Sequence, residues 1–130
     1  MPVRSSSSSV LRWPDARAVD TAARAWADLL SAKMPAVRRV GYFGSYARGD
    51  WGVGSDLDLV VVVGESDLAF EERALRIDAT SLPVPADVLV YTLVEWERLV
   101  RATSRWARTM MQELVWVWPG GAQPSPRSPA

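Results

Sequence analysis

The chain has 130 residues, and its 15 Lys and Arg balance 15 Asp and Glu, so the formal charge is zero. That balance argues against holding nucleic acid through a broad basic field, although a nucleotide would need only a local phosphate site. Cysteine and histidine are both absent, which excludes disulfides, thiolate zinc sites and His-dependent triads and leaves oxygen donors with a hard cation as the available metal chemistry.

Apolar residues make up 48% of the sequence, the proportion of a globular domain. Lys33 is the only lysine, so a general base would be a carboxylate or a tyrosine before it would be a lysine. The opening MPVRSSSSSV lacks the apolar core of a signal peptide, and no apolar run reaches membrane-span length. A cytoplasmic location without membrane contact is expected. Residues 1–9 read as a flexible N-terminus, 10–118 as the folded domain, and the Pro-, Gly- and Ser-rich 119–130 as a disordered tail.

In chain order, Asp15 caps a predicted helix running to about Met34, with Ala18, Ala22, Trp26, Leu29 and Leu30 at helical spacing and Pro35 as the stop. Val37 to Phe43 reads as a strand. Gly44 breaks it, Ser45 to Arg48 forms one helical turn, and three glycines make 49–55 a loop. Asp56 to Val63 is a second strand whose unbroken apolar run predicts burial on both faces. A helix over about 68–80 follows, ended by Pro83 and Pro85. Ala86 to Tyr91 is a third strand. Thr92 and Glu95 form a capping box for a helix from Leu93 to about Ala102, and another helix covers about 104–113. LVWVW closes the domain as a strand over 114–118, with Trp116 and Trp118 on one face. The expected fold is α+β: a mixed sheet of about four strands covered by helices.

The chemistry gathers around GSYARGDWGVGSDLDLVVVV, residues 44–63. Strand alternation sends Asp56 and Asp58 to the same face, with Cα atoms about 6.5 to 7 Å apart. Two uncompensated carboxylates side by side are costly, and divalent cations are the natural compensation. Asp87 is a third acid in an apolar strand, ADVLVY. If the two strands pair in register, the three acids could hold two metals roughly 3.5 to 4 Å apart. Gly44 permits a sharp turn close to a ligand, the Ser45 backbone opens a short helix able to meet phosphate, and Arg48 lies near the same end. A solvated strand-end DxD is the plain alternative, and it loses ground once the Gly-Ser and Asp87 are counted with it.

Other residues divide less sharply. Tyr46 and Trp51 could stack on a base, but Trp51 is expected to pack the loop down. Trp96 and Trp106 are expected in the core. Arg98, Arg101, Arg105 and Arg108 read as a solvated helix face, with a partner- or RNA-facing patch as the sharper alternative.

The segment FGSYARGDWGVGSDLDLVVVV resembles the signature of the DNA polymerase β-like nucleotidyltransferase superfamily: Gly-Ser, ten residues, then Asp-hydrophobic-Asp-hydrophobic. Asp87 matches the superfamily's third acid, and the short chain with Arg48-Gly49 looks like the minimal nucleotidyltransferase branch. The resemblance implies transfer of a nucleoside monophosphate from a triphosphate, with ATP the expected donor, to an acceptor hydroxyl. It implies two magnesium ions, or manganese, on Asp56, Asp58 and Asp87, with Asp87 taking the hydroxyl proton and Gly44 and Ser45 holding the terminal phosphates. Minimal members are often antitoxins paired with a small helical HEPN protein, and some move AMP onto a tyrosine of that partner. No second helical domain is visible in this sequence, so the acceptor pocket is expected to be incomplete or completed by another chain. Two alternatives stand beside this expectation: a small-molecule acceptor of the aminoglycoside kind, and an antitoxin acting by stoichiometric contact.

Overall fold

The computed structural model describes residues 13–120. The predicted N-terminal segment 1–9 lies outside these residues, as do positions 121–130 of the predicted tail. A four-stranded mixed sheet forms the centre, in the order β3-β2-β1-β4. Its strands are β1 (Val37–Phe43), β2 (Leu57–Val63), β3 (Ala86–Thr92) and β4 (Val115–Trp118). β1 runs antiparallel to β2 and to β4, whereas β2 and β3 are parallel. The α+β expectation holds.

β2 is the axis of the molecule. Leu57, Leu59, Val61 and Val63 face the larger core, which contains Val19, Ala23 and Trp26 of helix α1 (Ala16–Lys33). Val60 and Val62 face a smaller core with Trp96 and Met110. Burial on both faces therefore accounts for the unbroken valine run, as the sequence predicted. Asp58 shares a strand face with Val60 and Val62, so it belongs to the side of the smaller core.

The Asp15 carboxylate caps α1 by accepting from the Ala18 N–H at 2.9 Å. The buried face of α1 differs from the predicted one. Ala16, Val19, Ala23, Trp26, Ala27 and Leu30 are buried, while Ala18 and Leu29 are exposed. Leu29 and Leu30 are adjacent and cannot both face the sheet. Asp20 resolves the choice, because it is buried on that face and takes hydrogen bonds from the Tyr42 hydroxyl and Arg24, each at 2.8 Å.

The helix predicted over 68–80 is a second correction. Between β1 and β2 lies the single turn Ser45–Arg48 (α2), and between β2 and β3 the helical residues are Phe70–Arg73 (α3) plus a 3-10 turn at Ala74–Arg76. Arg73 turns inward instead of continuing the helix surface. Its guanidinium donates to the carbonyls of Leu68 and Val90 and to the Glu95 carboxylate. Beyond it, Asp78 accepts from the Thr80 N–H in a local turn, and a bent segment carrying Pro83 and Pro85 leads into β3 without further helix.

Helix α4 (Leu93–Arg101) carries the predicted capping box: Thr92 accepts from the Glu95 N–H, and Glu95 accepts from the Thr92 N–H. Helix α5 (Arg105–Glu113) is capped by Ser104. The two terminal tryptophans do not share a partner surface as predicted. A register shift between Val40 and Gly41 in the β1–β4 pairing sends Trp116 to Trp96 and the smaller core, and Trp118 to the larger one. Gly41 admits this arrangement, since a Cβ there would stand 2.8 Å from both the Trp116 ring and the Val115 carbonyl. No described helix is long and apolar enough to cross a membrane.

The Arg73–Glu95 pair, with a closest approach of 2.6 Å, ties the β2–β3 crossover to α4. Arg73 is buried, and its hydrogen bonds push the Glu95 carboxyl down to about 2. Glu95 is partly exposed, so solvent screens some of the attraction. Glu95→Gln keeps the capping box and removes the charge; it is expected to cost about 1–2 kcal/mol at neutral pH. A depressed carboxyl stabilises the fold above its unfolded value and loses that contribution as pH falls toward the folded one. Urea titrations should therefore show the gap between wild type and variant intact at pH 7 and closing from about pH 4 downward.

Candidate active site

Gly44 ends β1 and begins the α2 turn. Its φ is +86°, in the region that disfavours any side chain. A Cβ at this position would also collide with Oδ2 of Asp58. The β1–β2 register explains the approach, because Phe43 is the direct partner of Asp58. The chain thus turns directly against a carboxylate. Among the described residues, neither the Asp58 carboxylate nor the Ser45 N–H has a hydrogen-bond partner.

Asp58 is half-buried, and Asp56, one residue before β2, is exposed. Asp87 is exposed on β3 and pairs with Asp58 in the parallel register. The three acids therefore lie at the same end of two neighbouring strands. Burial pushes the Asp58 carboxyl above its ordinary range, and the charges of Asp87 and Asp56 push it further, partly offset by Arg48. Asp58 is the carboxylate with most to gain from a cation.

Gly44, Ser45, Arg48, Asp56 and Asp58 line one cavity of about 370 Å³. Asp87 lines a different one, about 760 Å³, with apolar walls that include Leu82, Val84 and Val88. Among the described residues, no group of three acids is arranged to hold a metal ion as it stands. The donor chemistry still fits a hard cation: a partly buried carboxylate without a donor, two more acids acting on it, and neither histidine nor cysteine in the chain.

Arg48 is not free. Its Nε pairs with Asp50 at 3.0 Å, and its Nη1 lies 3.1 Å from both Glu113 oxygens. Glu113 also accepts from the Gly44 N–H at 3.1 Å. An acid ending a helix opposes the helix dipole and needs compensation; Arg48 and the Gly44 amide provide it. The position of Glu113 at the end of α5 was the available signal, but the partner lies 65 residues away in sequence and left no local trace.

Trp106 is the other residue the sequence misplaced. It is 49% exposed and lines the cavity with Asp58, whereas Trp96 is core as expected. Tyr46 and Trp51 stack on each other with ring centroids 5.6 Å apart, and Tyr46 is buried. They pack the loop down, as expected for Trp51, and are not presented to a ligand. Arg98, Arg101, Arg105 and Arg108 are exposed on α4 and α5, in keeping with a solvated face.

The raised Asp58 carboxyl has a consequence for stability in the metal-free protein. The native state holds the Asp58 proton more tightly than the unfolded state does, so stability falls as pH rises from the ordinary carboxylate range through the native value. Asp58→Asn is expected to be more stable than wild type at pH 7.5 in chelator, with the difference vanishing near pH 3.5. Denaturant midpoints at the two pH values measure it; a less stable variant at pH 7.5 would contradict the electrostatic picture.

No curated protein matches the chain. Among solved structures, a protein of Sulfolobus solfataricus assigned as a nucleotidyltransferase is 25% identical with a TM-score of 0.51, covering 62% of this chain and 72% of its own. A toxin–antitoxin structure with AMP-PNP is 20% identical with a TM-score of 0.50, covering 76% and 74%. That second likeness is one of fold. A family model described as nucleotidyltransferase domain matches residues 23–108, from the middle of α1 into α5 and across the Gly44 turn and all three acids. The chain belongs to the nucleotidyltransferase domain family.

Proposed function

We propose that the chain transfers a nucleoside monophosphate, AMP from ATP, onto a hydroxyl of a partner protein, and that it serves as the antitoxin of a toxin–antitoxin pair. The observation carrying this reading is the Gly44 turn packed against Asp58 in one cavity with Ser45 and Asp56. The solved toxin–antitoxin pair with AMP-PNP supports both the donor and the kind of partner. The sequence resemblance supports a helical HEPN-type protein as that partner. The working domain is taken as 10–118, acting in the cytoplasm where ATP is available.

The acceptor hydroxyl oxygen attacks the α-phosphorus, the bond from that phosphorus to the bridging oxygen breaks, and pyrophosphate leaves. The Asp87 carboxylate takes the hydroxyl proton. Gly44 and Ser45 orient the terminal phosphates through the turn's backbone, and Arg48 exchanges Glu113 for phosphate oxygen. Asp56, Asp58 and Asp87 would hold magnesium or manganese, two ions by resemblance, which when bound neutralises charge on the phosphates. Positioning and charge compensation are the main demands of phosphoryl transfer, and the Gly44 turn together with the acids at the ends of β2 and β3 supplies groups for both.

A second reading, neutralisation by contact alone, draws on one observation: Glu113 already occupies the Gly44 amide and Arg48. Full-length protein, labelled ATP, magnesium and a candidate helical HEPN-type partner separate the two. Wild type is expected to label the partner, and Asp56→Asn with Asp58→Asn to lose at least about a thousandfold in rate. Undiminished labelling by the double variant contradicts the enzymatic reading. Unlabelled partner that is nonetheless neutralised, equally by wild type and double variant, favours contact.

A further inference from the structure

We propose that Trp106 is the platform on which the nucleobase of the bound nucleotide stacks, a deepening that rests on the nucleotidyltransferase reading of the same cavity. Trp106 sits on the first turn of α5 and lines the cavity that holds Gly44, Ser45, Asp56 and Asp58. The residue is 49% exposed, an unfavourable state for so large an apolar side chain. The ring is nevertheless held in place. Its edge-on partner is Phe43, with centroids 6.3 Å apart and planes at 88°. Phe43 immediately precedes Gly44 and pairs with Asp58, so one aromatic contact couples the platform to the turn and to the acid. An oriented aromatic beside a phosphate-and-metal site suits a base, because stacking needs a fixed ring more than it needs hydrogen bonds.

The competing platforms in the neighbourhood are already committed. Tyr46 is buried and its ring lies on Trp51. Arg48, the cation that could otherwise cover a base, is held by Asp50 and Glu113. Beside Trp106 the cavity wall continues through Thr109 and Met110, which offer one hydroxyl and an adaptable thioether in place of a donor–acceptor pattern for reading a particular base. The site should accordingly rank nucleotides by stacking surface, purines above pyrimidines, with little distinction between ATP and GTP.

Calorimetric titration of the full chain with magnesium and ATP, GTP, CTP, UTP or inorganic tripolyphosphate tests this. Trp106→Leu keeps apolar bulk at a half-exposed position, and Trp106→Phe keeps an aromatic face. The expected result is a loss of roughly ten- to a hundredfold in ATP and GTP affinity for Trp106→Leu, most of it restored in Trp106→Phe, with tripolyphosphate binding unchanged in both. The purine preference of wild type should disappear in Trp106→Leu. Equal ATP affinity in wild type and Trp106→Leu overturns the proposal and leaves the nucleotidyltransferase reading standing. Equal losses for ATP and tripolyphosphate also overturn it, because the defect is then not at the base. Wild type that binds neither ATP nor tripolyphosphate overturns the proposal together with the reading beneath it.

Discussion

The backbone of Gly44 and the carboxylate of Asp58 approach so closely that no side chain fits between them. The antiparallel register of β1 and β2 sets up this approach by placing Phe43 opposite Asp58, and the positive φ of Gly44 completes it by turning the chain across the strand end. Much of the site depends on that contact. It brings the first turn of α2 beside the acids, and it fixes Phe43, which in turn orients Trp106. A glycine at 44 is thus required twice, once by its dihedral angle and once by its neighbour.

Charge is the second constraint. Asp87, Asp56 and Glu113 all act on the partly buried Asp58 carboxylate, and Arg48 is the cation that offsets them. Like charges at this density do not persist in a fold for stability's sake. The apolar double-faced β2 supplies the rigidity that holds them: two cores grip the strand from opposite sides while its leading end carries the acids. Arg73 and Glu95 anchor the crossover that delivers Asp87, so a purely structural ion pair helps set the geometry of the third acid.

Much of this was legible in the residues. The valine run announced a doubly buried strand, the glycine and the two acids announced a turn against a charged strand end, and the Thr92–Glu95 box announced a helix start. These signals are local, within a few residues of the feature they report. What escaped the sequence is long-range. Glu113 meets Arg48 and Gly44 only because β4 returns beside β1 and carries the end of α5 with it. Trp106 was expected in the core, and only the folded structure shows it outside both cores, touching Phe43 and about half exposed. The shortened helix after β2 reflects the inward turn of Arg73 toward the Val90 carbonyl and Glu95, a pairing that no helical pattern encodes. In the same way the tryptophans of β4 part company at a bulge whose cause lies on β1.

The central claim is that the Gly44 turn and the acids at the ends of β2 and β3 together receive a nucleotide with its metal. Amide chemical-shift mapping of the full chain during titration with magnesium and a non-hydrolysable ATP analogue tests it most directly. The account predicts that the largest shifts cluster at residues 44–48, 56–58 and 87, and that Gly44→Ala, still folded by its amide spectrum, loses them. Shifts confined to the apolar cavity around Leu82 and Val84, or a Gly44→Ala response equal to that of wild type, would contradict it.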